Sequence, residues 1–256
     1  MNNPHTRPRG IPSKDQLIMG VHAIQELMAH APDRLVRIFT VHPKGPRKAD
    51  LLTLCEKKGI PISFVRLDEL TQMAGSDSHQ SFVAQIKERD FQDVKDFIRQ
   101  TEEKESVFVL MLDEIFDPQN FGALIRSAEC FGLDAVAWSK NRGCDLTPMV
   151  AKASSGASEI LPLIRISNLA DSVEKFKEAG FEVVAALLNP NSESAFSFAY
   201  AQKTVLIVGS EGEGIQPLLQ KKADRSIYLP MKGKIQSLNV AQATAALLAL
   251  WAAFKK

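Results

Sequence analysis

Three short stretches of this 256-residue chain hold polar residues at spacings that could do chemistry. The first is DEIFDPQNFGALIRSAE, beginning at Asp113. A strand ends at Asp113, Pro118 breaks the chain, and Asn120 is well placed to cap the helix that follows. Arg126 lies about two turns into that helix. Phe121, Leu124, Ile125 and Ala128 take the apolar face, which leaves Arg126 to the sheet edge or to solvent. An ordinary cap and an ordinary surface arginine are the simpler alternatives. The second stretch is GSEGEGI, residues 209–215. Its three glycines let backbone amides approach a ligand closely. It lacks both the GK[ST] of a phosphate loop and the GxGxxG of a dinucleotide turn. Glu211 would repel phosphate and suits a cation or a ribose hydroxyl; a plain tight turn is the alternative. The third is LPMKGKIQSLNVAQATAAL, beginning at Leu229. Ser237 and Asn239 flank Leu238 at the mouth of an Ala/Leu-rich helix. Either could cap it, and together they could shape a pocket.

An absence bounds this chemistry. All five histidines (His5, His22, His30, His42 and His79) precede residue 80. A Ser-His-Asp triad or a histidine metal site is therefore excluded from the later part of the chain. What remains is a polar set of Asn120, Arg126, Glu211, Ser237 and Asn239, which alone specifies no reaction.

The elements that must position this set alternate strand and helix. VFVLMLD is a near-continuous apolar run, as in a strand buried on both faces. DAVAWS, ILPLIRI, FEVVAAL, TVLIVG and SIYLP read as further strands. LTPMVAKASSGASE reads as helical. NLADSVEKFKEAG is a helix with Leu169, Val173 and Phe176 in register and Gly180 as its stop. A last helix runs from about Asn239 to Phe254. The pattern implies an α/β domain over 106–256 with a mostly parallel, covered sheet, and ligands bind such sheets at the carboxyl ends of the strands. Residues 17–87 read as a smaller α/β domain. Its strands are LIMG, RLVRIFTV, PISFVR and QSFVAQIK. Its helices are VHAIQELMAH, with Ile24, Leu27 and Met28 on one face, KADLLTLCEKKG and LDELTQMAG. Residues 88–105 form a charged amphipathic helical linker, with Phe91, Val94 and either Phe97 or Ile98 at helical spacing. Residues 1–16 form a flexible basic tail, either a plain terminus or an arm that touches phosphates.

Composition narrows the class. Hydrophobic residues make up 45% and the net charge is +1. Residues 1–87 hold 12 Lys/Arg against 8 Asp/Glu, residues 88–105 hold 4 against 7, and the remainder is balanced. The basic residues of the front end are either a solvated face or, if they cluster near the strand ends, an RNA-facing patch. The three cysteines, Cys55, Cys130 and Cys144, are odd in number and match no zinc spacing, so reduced thiols in a cytoplasmic protein are expected. No apolar run reaches the roughly 18 residues of a membrane span, and the first residues lack the apolar core of a signal peptide.

Taken in order, the three stretches resemble the signature motifs of the SpoU/TrmH ribose 2′-O-methyltransferases. The first matches as Asp117-Pro118-x-Asn120-x-Gly122 followed by Arg126. The second matches as Gly209-x-Glu211-Gly212-x-Gly214-Ile215. The third matches as Leu229-Pro230-Met231, then Ser237-Leu238-Asn239-Val240 and an Ala-rich helix. KASSGASEILPL resembles the family's Ser-Gly-Ala stretch. MGVHAIQEL and HQSFVAQI resemble the substrate-binding domain that precedes the catalytic domain in many members. Ser81 stands where a glycine is usual, and Ala241 where a serine is frequent. The resemblance spans about residues 17 to 256.

The resemblance implies an α/β trefoil knot in the C-terminal domain, one of the rare exceptions to unknotted chains, preceded by a small α/β RNA-binding domain. It implies S-adenosyl-L-methionine as cofactor, held around Gly209, Glu211, Gly214, Ile227, Leu229 and Leu238, with no metal. It implies a homodimer through the C-terminal domain, in which Leu247, Leu250, Trp251 and Phe254 face the partner unless they fill the core. The reaction it implies is methyl transfer to a ribose 2′-hydroxyl. Arg126 takes or relays the hydroxyl proton in that scheme. Because arginine stays charged, it could instead clamp a phosphate and polarise the hydroxyl. Glu211 would orient Arg126 or neighbouring amides, and Asn120, Ser237 and Asn239 would hold ribose and cofactor. The expected substrate is a guanosine of large-subunit (23S) rRNA. The alternatives are a tRNA ribose, or a non-catalytic RNA-binding ribosome-assembly role on the same scaffold.

Overall fold

The computed structural model describes residues 17–42, 46–89, 91–234 and 237–254. The basic tail expected at 1–16 lies outside the described residues. The chain divides into two compact units.

The first unit comprises the chain up to Arg89 together with Leu146–Ile160. Its strands are β1 (Leu17–Met19), β2 (Leu35–Thr40), β3 (Ile62–Phe64) and β4 (Phe82–Ile86), and its first helices are α1 (Val21–His30), α2 (Pro46–Lys57) and α3 (Leu67–Ala74). The sheet order is β1-β4-β2-β3; β4 is antiparallel to both neighbours, and β2 runs parallel to β3. Side chains alternate between the two faces of a strand, and the apolar residues here supply both. Ile18, Ile38, Phe82 and Ala84 pack on one face with Ile24, Leu27 and Leu51 of α1 and α2. Leu17, Met19, Phe39 and Val83 pack on the other with Leu70 and Ala74 of α3.

The strands of this unit are joined by a hook at residues 79–81. His79 is buried, and its Nδ1 accepts the Ser81 amide at 3.0 Å. The Gln80 side-chain carbonyl accepts the Val21 amide at the start of α1 at 3.0 Å. The buried Thr40 hydroxyl donates to the Ser81 carbonyl at 2.7 Å. To make these bonds Gln80 and Ser81 take φ of 55° and 70°, left-handed values that cost a non-glycine residue about 1 kcal/mol or more.

The second unit comprises Asp90–Asp145 and the chain from Leu161 onward. It holds α4 (Val94–Gln100), β5 (Val107–Leu112), α5 (Pro118–Cys130), β6 (Ala135–Ser139), β7 (Leu163–Ile166), α7 (Leu169–Glu178), β8 (Glu182–Ala186), β9 (Glu193–Ser194), β10 (Lys203–Val208), α8 (Pro217–Lys222), β11 (Arg225–Tyr228) and α9 (Val240–Phe254); α6 (Pro148–Ala153) lies in the segment that belongs to the first unit. The sheet order is β7-β6-β5-β10-β8-β11-β9, with every pairing parallel. Every residue of β5 is buried, as a strand covered on both faces requires. Val107, Val109, Met111, Val205 and Ile207 face a core built with Val94 and Phe97 of α4, Val173 and Phe176 of α7 and Leu219 of α8. On the opposite face α5 and α9 pack together. There Phe108 meets Trp251 at 4.4 Å between ring centres, and Phe121 meets Trp138 at 5.5 Å.

Three features of the packing bear on the sequence expectations. Within 88–105, expected as a helical linker, Val94 and Phe97 are buried in the second unit's core, and Ile98 packs at its margin. The stretch 146–160, expected within the C-terminal domain, groups with the first unit. It is tied there by Arg34, whose guanidinium pairs with Glu159 at 2.7 Å, while the Ser158 hydroxyl donates to the same carboxylate at 3.0 Å. Burial pushes the neighbouring Arg89 guanidinium down to about 10 against the attraction of Glu159. Finally, Leu247 and Trp251 are buried within the chain, because α9 must cover the sheet face that holds Phe108 and Leu110; the side chain of Phe254 lies outside the described residues.

The left-handed backbone at Ser81 yields a stability prediction. Ser81→Gly removes a strained Cβ and leaves the backbone bonds of the hook intact. It should raise unfolding stability by about 1 kcal/mol in urea titrations followed by circular dichroism. A loss of stability would show that no strain is stored there.

Candidate active site

All strands of the second sheet point the same way, so their carboxyl ends share one edge. Asp113, Gly209 and the chain after Tyr228 lie there, each beginning one of the three stretches.

The first turn of α5 is set by Asp117 and Pro118. Asp117 is the N-cap: its carboxylate accepts the Asn120 amide at 2.9 Å, and Pro118 fills the first helical position, where a missing N–H costs nothing. Asn120 was the residue expected to cap. It sits inside the first turn instead, and its side chain is free to point across the site.

The glycine loop folds back on itself. Ser210 and Gly214 exchange backbone hydrogen bonds at 3.2 and 3.1 Å. This brings the Gly214 carbonyl against the Cα of Gly209, so closely that any Cβ at 209 would overlap it. Glycine is required at 209 by this approach, and its side-chain-free surface opens onto a cleft of about 380 Å³.

Asn239 caps α9. Its Oδ1 accepts the Ala241 amide at 2.9 Å and the Gln242 amide at 3.3 Å. Its Nδ2 donates to Asn120 Oδ1 at 2.8 Å and also to Glu211 Oε1. Glu211 Oε1 further accepts from Asn120 Nδ2 at 3.2 Å and from the Val240 amide at 3.3 Å. A carboxylate at a helix N-terminus is favoured by the positive end of the helix dipole. One glutamate thus joins the first turn of α5, the glycine loop and the start of α9.

The structure brings together Asn120, Glu211 and Asn239 of the expected set. Ser237 is exposed and lines the same cleft as Glu211. Arg126 is not part of the group. It is exposed on α5, six residues past Asn120, which places it about 9 Å along the helix and roughly 120° around the axis. Of the two partners expected for Glu211, Arg126 or neighbouring amides, it meets the amides: the side chains of Asn120 and Asn239 and the Val240 N–H.

Gly209, Glu211, Gly214 and Leu238 line the 380 Å³ cleft. Ile227 and Leu229 line a second one of about 720 Å³, and Ala186 and Ser237 are common to both. Sequence reasoning missed a further set at this edge. Asp113, fully buried at the end of β5, accepts two hydrogen bonds from Gln216, the residue after the glycine loop. Its only signal was a polar residue ending a buried strand. Beside it, burial and then the carboxylates of Asp145 and Asp117 push the Cys144 thiol up to about 11. No group of three potential metal ligands is found among the described residues.

Comparison with known proteins agrees with this architecture. Residues 107–249 match the model of the SpoU rRNA Methylase family, and residues 17–92 match the model described as RNA 2′-O ribose methyltransferase substrate binding. The chain belongs to the SpoU rRNA methylase family. It is 33% identical over 235 residues to the 23S rRNA (guanosine-2′-O-)-methyltransferase RlmB of Escherichia coli, covering 90% of this chain and 94% of that one. It is 30% identical over 233 residues to RlmB of Acinetobacter baylyi, with the same coverage. The crystal structure of the SpoU methyltransferase AviRb from Streptomyces viridochromogenes in complex with AdoMet has the same fold. It superposes with a TM-score of 0.73 at 23% identity, over 93% of this chain and 89% of that one.

The close approach at Gly209 can be tested directly. Gly209→Ala must force the loop open, with a loss of about 1–3 kcal/mol in the unfolding free energy and faster proteolytic cleavage between residues 209 and 216. Unchanged stability and cleavage would mean that the loop does not fold back as described.

Proposed function

We propose that this protein uses S-adenosyl-L-methionine to methylate the ribose 2′-hydroxyl of a guanosine in 23S rRNA, in the cytoplasm. The observation that carries the reading is the convergence of Asn120, Glu211 and Asn239 beside the two clefts, in a chain of this family whose RlmB relatives carry that activity in their names. The first unit, which includes the substrate-binding match, would capture the RNA, and the second would carry the transfer.

The lining of the clefts fits such a cofactor. Their volumes lie in the range of small-molecule sites. Ile227, Leu229 and Leu238 offer apolar surface to a purine, and the loop glycines offer backbone groups. Among the described residues, the one charged side chain in either lining is Glu211, which suits a ligand bearing positive charge. When bound, the cofactor supplies a methyl group on a positive sulfonium, already activated for transfer. The protein must then position the ribose and dispose of one proton.

Asn239 is fully used in capping α9 and in holding Asn120 and Glu211, so it fixes the site. Asn120, which keeps one N–H, and the Ser237 hydroxyl are the groups left to bind a hydroxyl or carbonyl. A guanidinium is a donor rather than a base, so Arg126 serves as a clamp on a phosphate beside the target ribose and as a donor to the 2′-oxygen, while water takes the proton. Since Arg126 does not reach the Glu211 group within one chain, we assign it to the cleft of a second copy in a homodimer formed through the C-terminal unit.

Two measurements test this. Ribosomal RNA from a strain lacking the protein should lose one 2′-O-methylguanosine of 23S rRNA; loss from tRNA instead would reassign the substrate. Arg126→Ala should bind S-adenosyl-L-methionine within about threefold of the parent by calorimetry yet lose at least about 100-fold in methyl transfer. Mixing Arg126→Ala with Glu211→Gln should restore about a quarter of the activity, since half the dimers then hold one intact site. No recovery on mixing would place Arg126 at the cleft of its own chain.

A further inference from the structure

We infer that Asp113, Gln216 and Arg142 form a clamp that positions the glycine loop for catalysis, which rests on the methyltransferase reading above. Asp113 is 0% exposed. Its Oδ2 accepts the backbone N–H of Gln216 at 2.7 Å, and its Oδ1 accepts the Gln216 side-chain amide at 2.8 Å. The other end of that amide, Oε1, accepts from the Arg142 guanidinium at 2.8 Å, and Arg142 also reaches Glu114 at 3.3 Å. The four residues come from the carboxyl ends of β5 and β6 and from the end of the loop that follows β10. None of them belongs to the Glu211 group.

The clamp acts on geometry. The loop leaves β10 at Gly209, is pinched between Ser210 and Gly214, and departs at Gln216. The first end is fixed by sheet pairing of β10 with β5. The second end is fixed by Asp113, because a buried carboxyl group that lost both Gln216 bonds would be left without compensation. Glu211 lies between these two anchors. It must reach Asn120 and Asn239 at once, so a displacement of the loop by an ångström breaks the group that holds the ribose.

The chemistry of the clamp is directional. Gln216 must present N–H to Asp113 and oxygen to Arg142. A glutamate at 216 would set a second carboxylate against Asp113. An asparagine at 113 would set a second amide N–H against the Gln216 amide. Made together, the two changes restore a donor facing an acceptor, leave an oxygen for the backbone N–H of residue 216, and keep an oxygen for Arg142. Asp113 and Gln216 are positioning residues, since they act on the reacting groups through the loop.

The test uses the full chain, tritiated S-adenosyl-L-methionine and 23S rRNA from a strain lacking the protein. Asp113→Asn and Gln216→Glu should each lower kcat roughly 30-fold with the KM for RNA within about twofold of the parent. The double variant should return to within about threefold of the parent kcat. A parent-like kcat in either single variant, a loss carried by the KM for RNA, or a double variant no better than the worse single one overturns the clamp. If the parent itself transfers no methyl group, the methyltransferase reading fails. Hydrogen exchange of the amides in 209–216 then decides the clamp alone: faster in each single variant and restored in the double variant supports it, and unchanged exchange overturns it.

Discussion

One carboxylate oxygen holds the candidate site together. Glu211 Oε1 is shared by the side chains of Asn120 and Asn239 and by the backbone N–H of Val240. Asn120 belongs to the first turn of α5 and Asn239 to the start of α9, 91 and 28 residues from Glu211 in the loop after β10. Bringing them together requires the parallel sheet, because only when β5 and β10 run side by side in the same sense do their following loops emerge at one edge. The six-residue register between these strands is therefore as much a part of the site as the side chains themselves.

Around that oxygen the structure spends its polar groups with little duplication. Asp117 rather than Asn120 caps α5, which leaves the Asn120 amide for Glu211. Asn239 uses its oxygen to cap α9 and its nitrogen to reach Asn120 and Glu211. An asparagine can do both at once, whereas an aspartate at that position could not donate. The glycines remove side chains where the loop closes. Charge is scarce: among the described residues a single glutamate lines the clefts.

Much of this was legible in the sequence. The apolar run at 107–112, the period of α7 and the Ala/Leu-rich α9 follow from burial and helical spacing alone. The three polar stretches were visible as stretches, and the order of their residues carried the family resemblance. What could not be read were relations between distant residues. Asp117 and Asn120 are both good caps, and only the local fold of Pro118 decides between them. Asp113 and Gln216 are separated by 103 residues, so no local pattern pairs them. The stretch 146–160 has the composition of a short helix in either unit; the pairing of Glu159 with Arg34 assigns it. Arg126 and the neighbouring amides were both readable as partners of Glu211, and only the fold shows that the amides meet it.

The order of strands in the second sheet also has a consequence for how the chain is made. β10 lies between β5 and β8, yet it is synthesised after both. Until it emerges from the ribosome, the centre of the sheet is missing. β5 and β8 then present unpaired apolar edges toward each other, the kind of surface that invites mispairing with another nascent chain. Contacts of such long sequence separation also slow the search. A chain built this way is a demanding product of translation, and its yield in the cell should depend on chaperones that shield an incomplete sheet more than on the stability of the finished one.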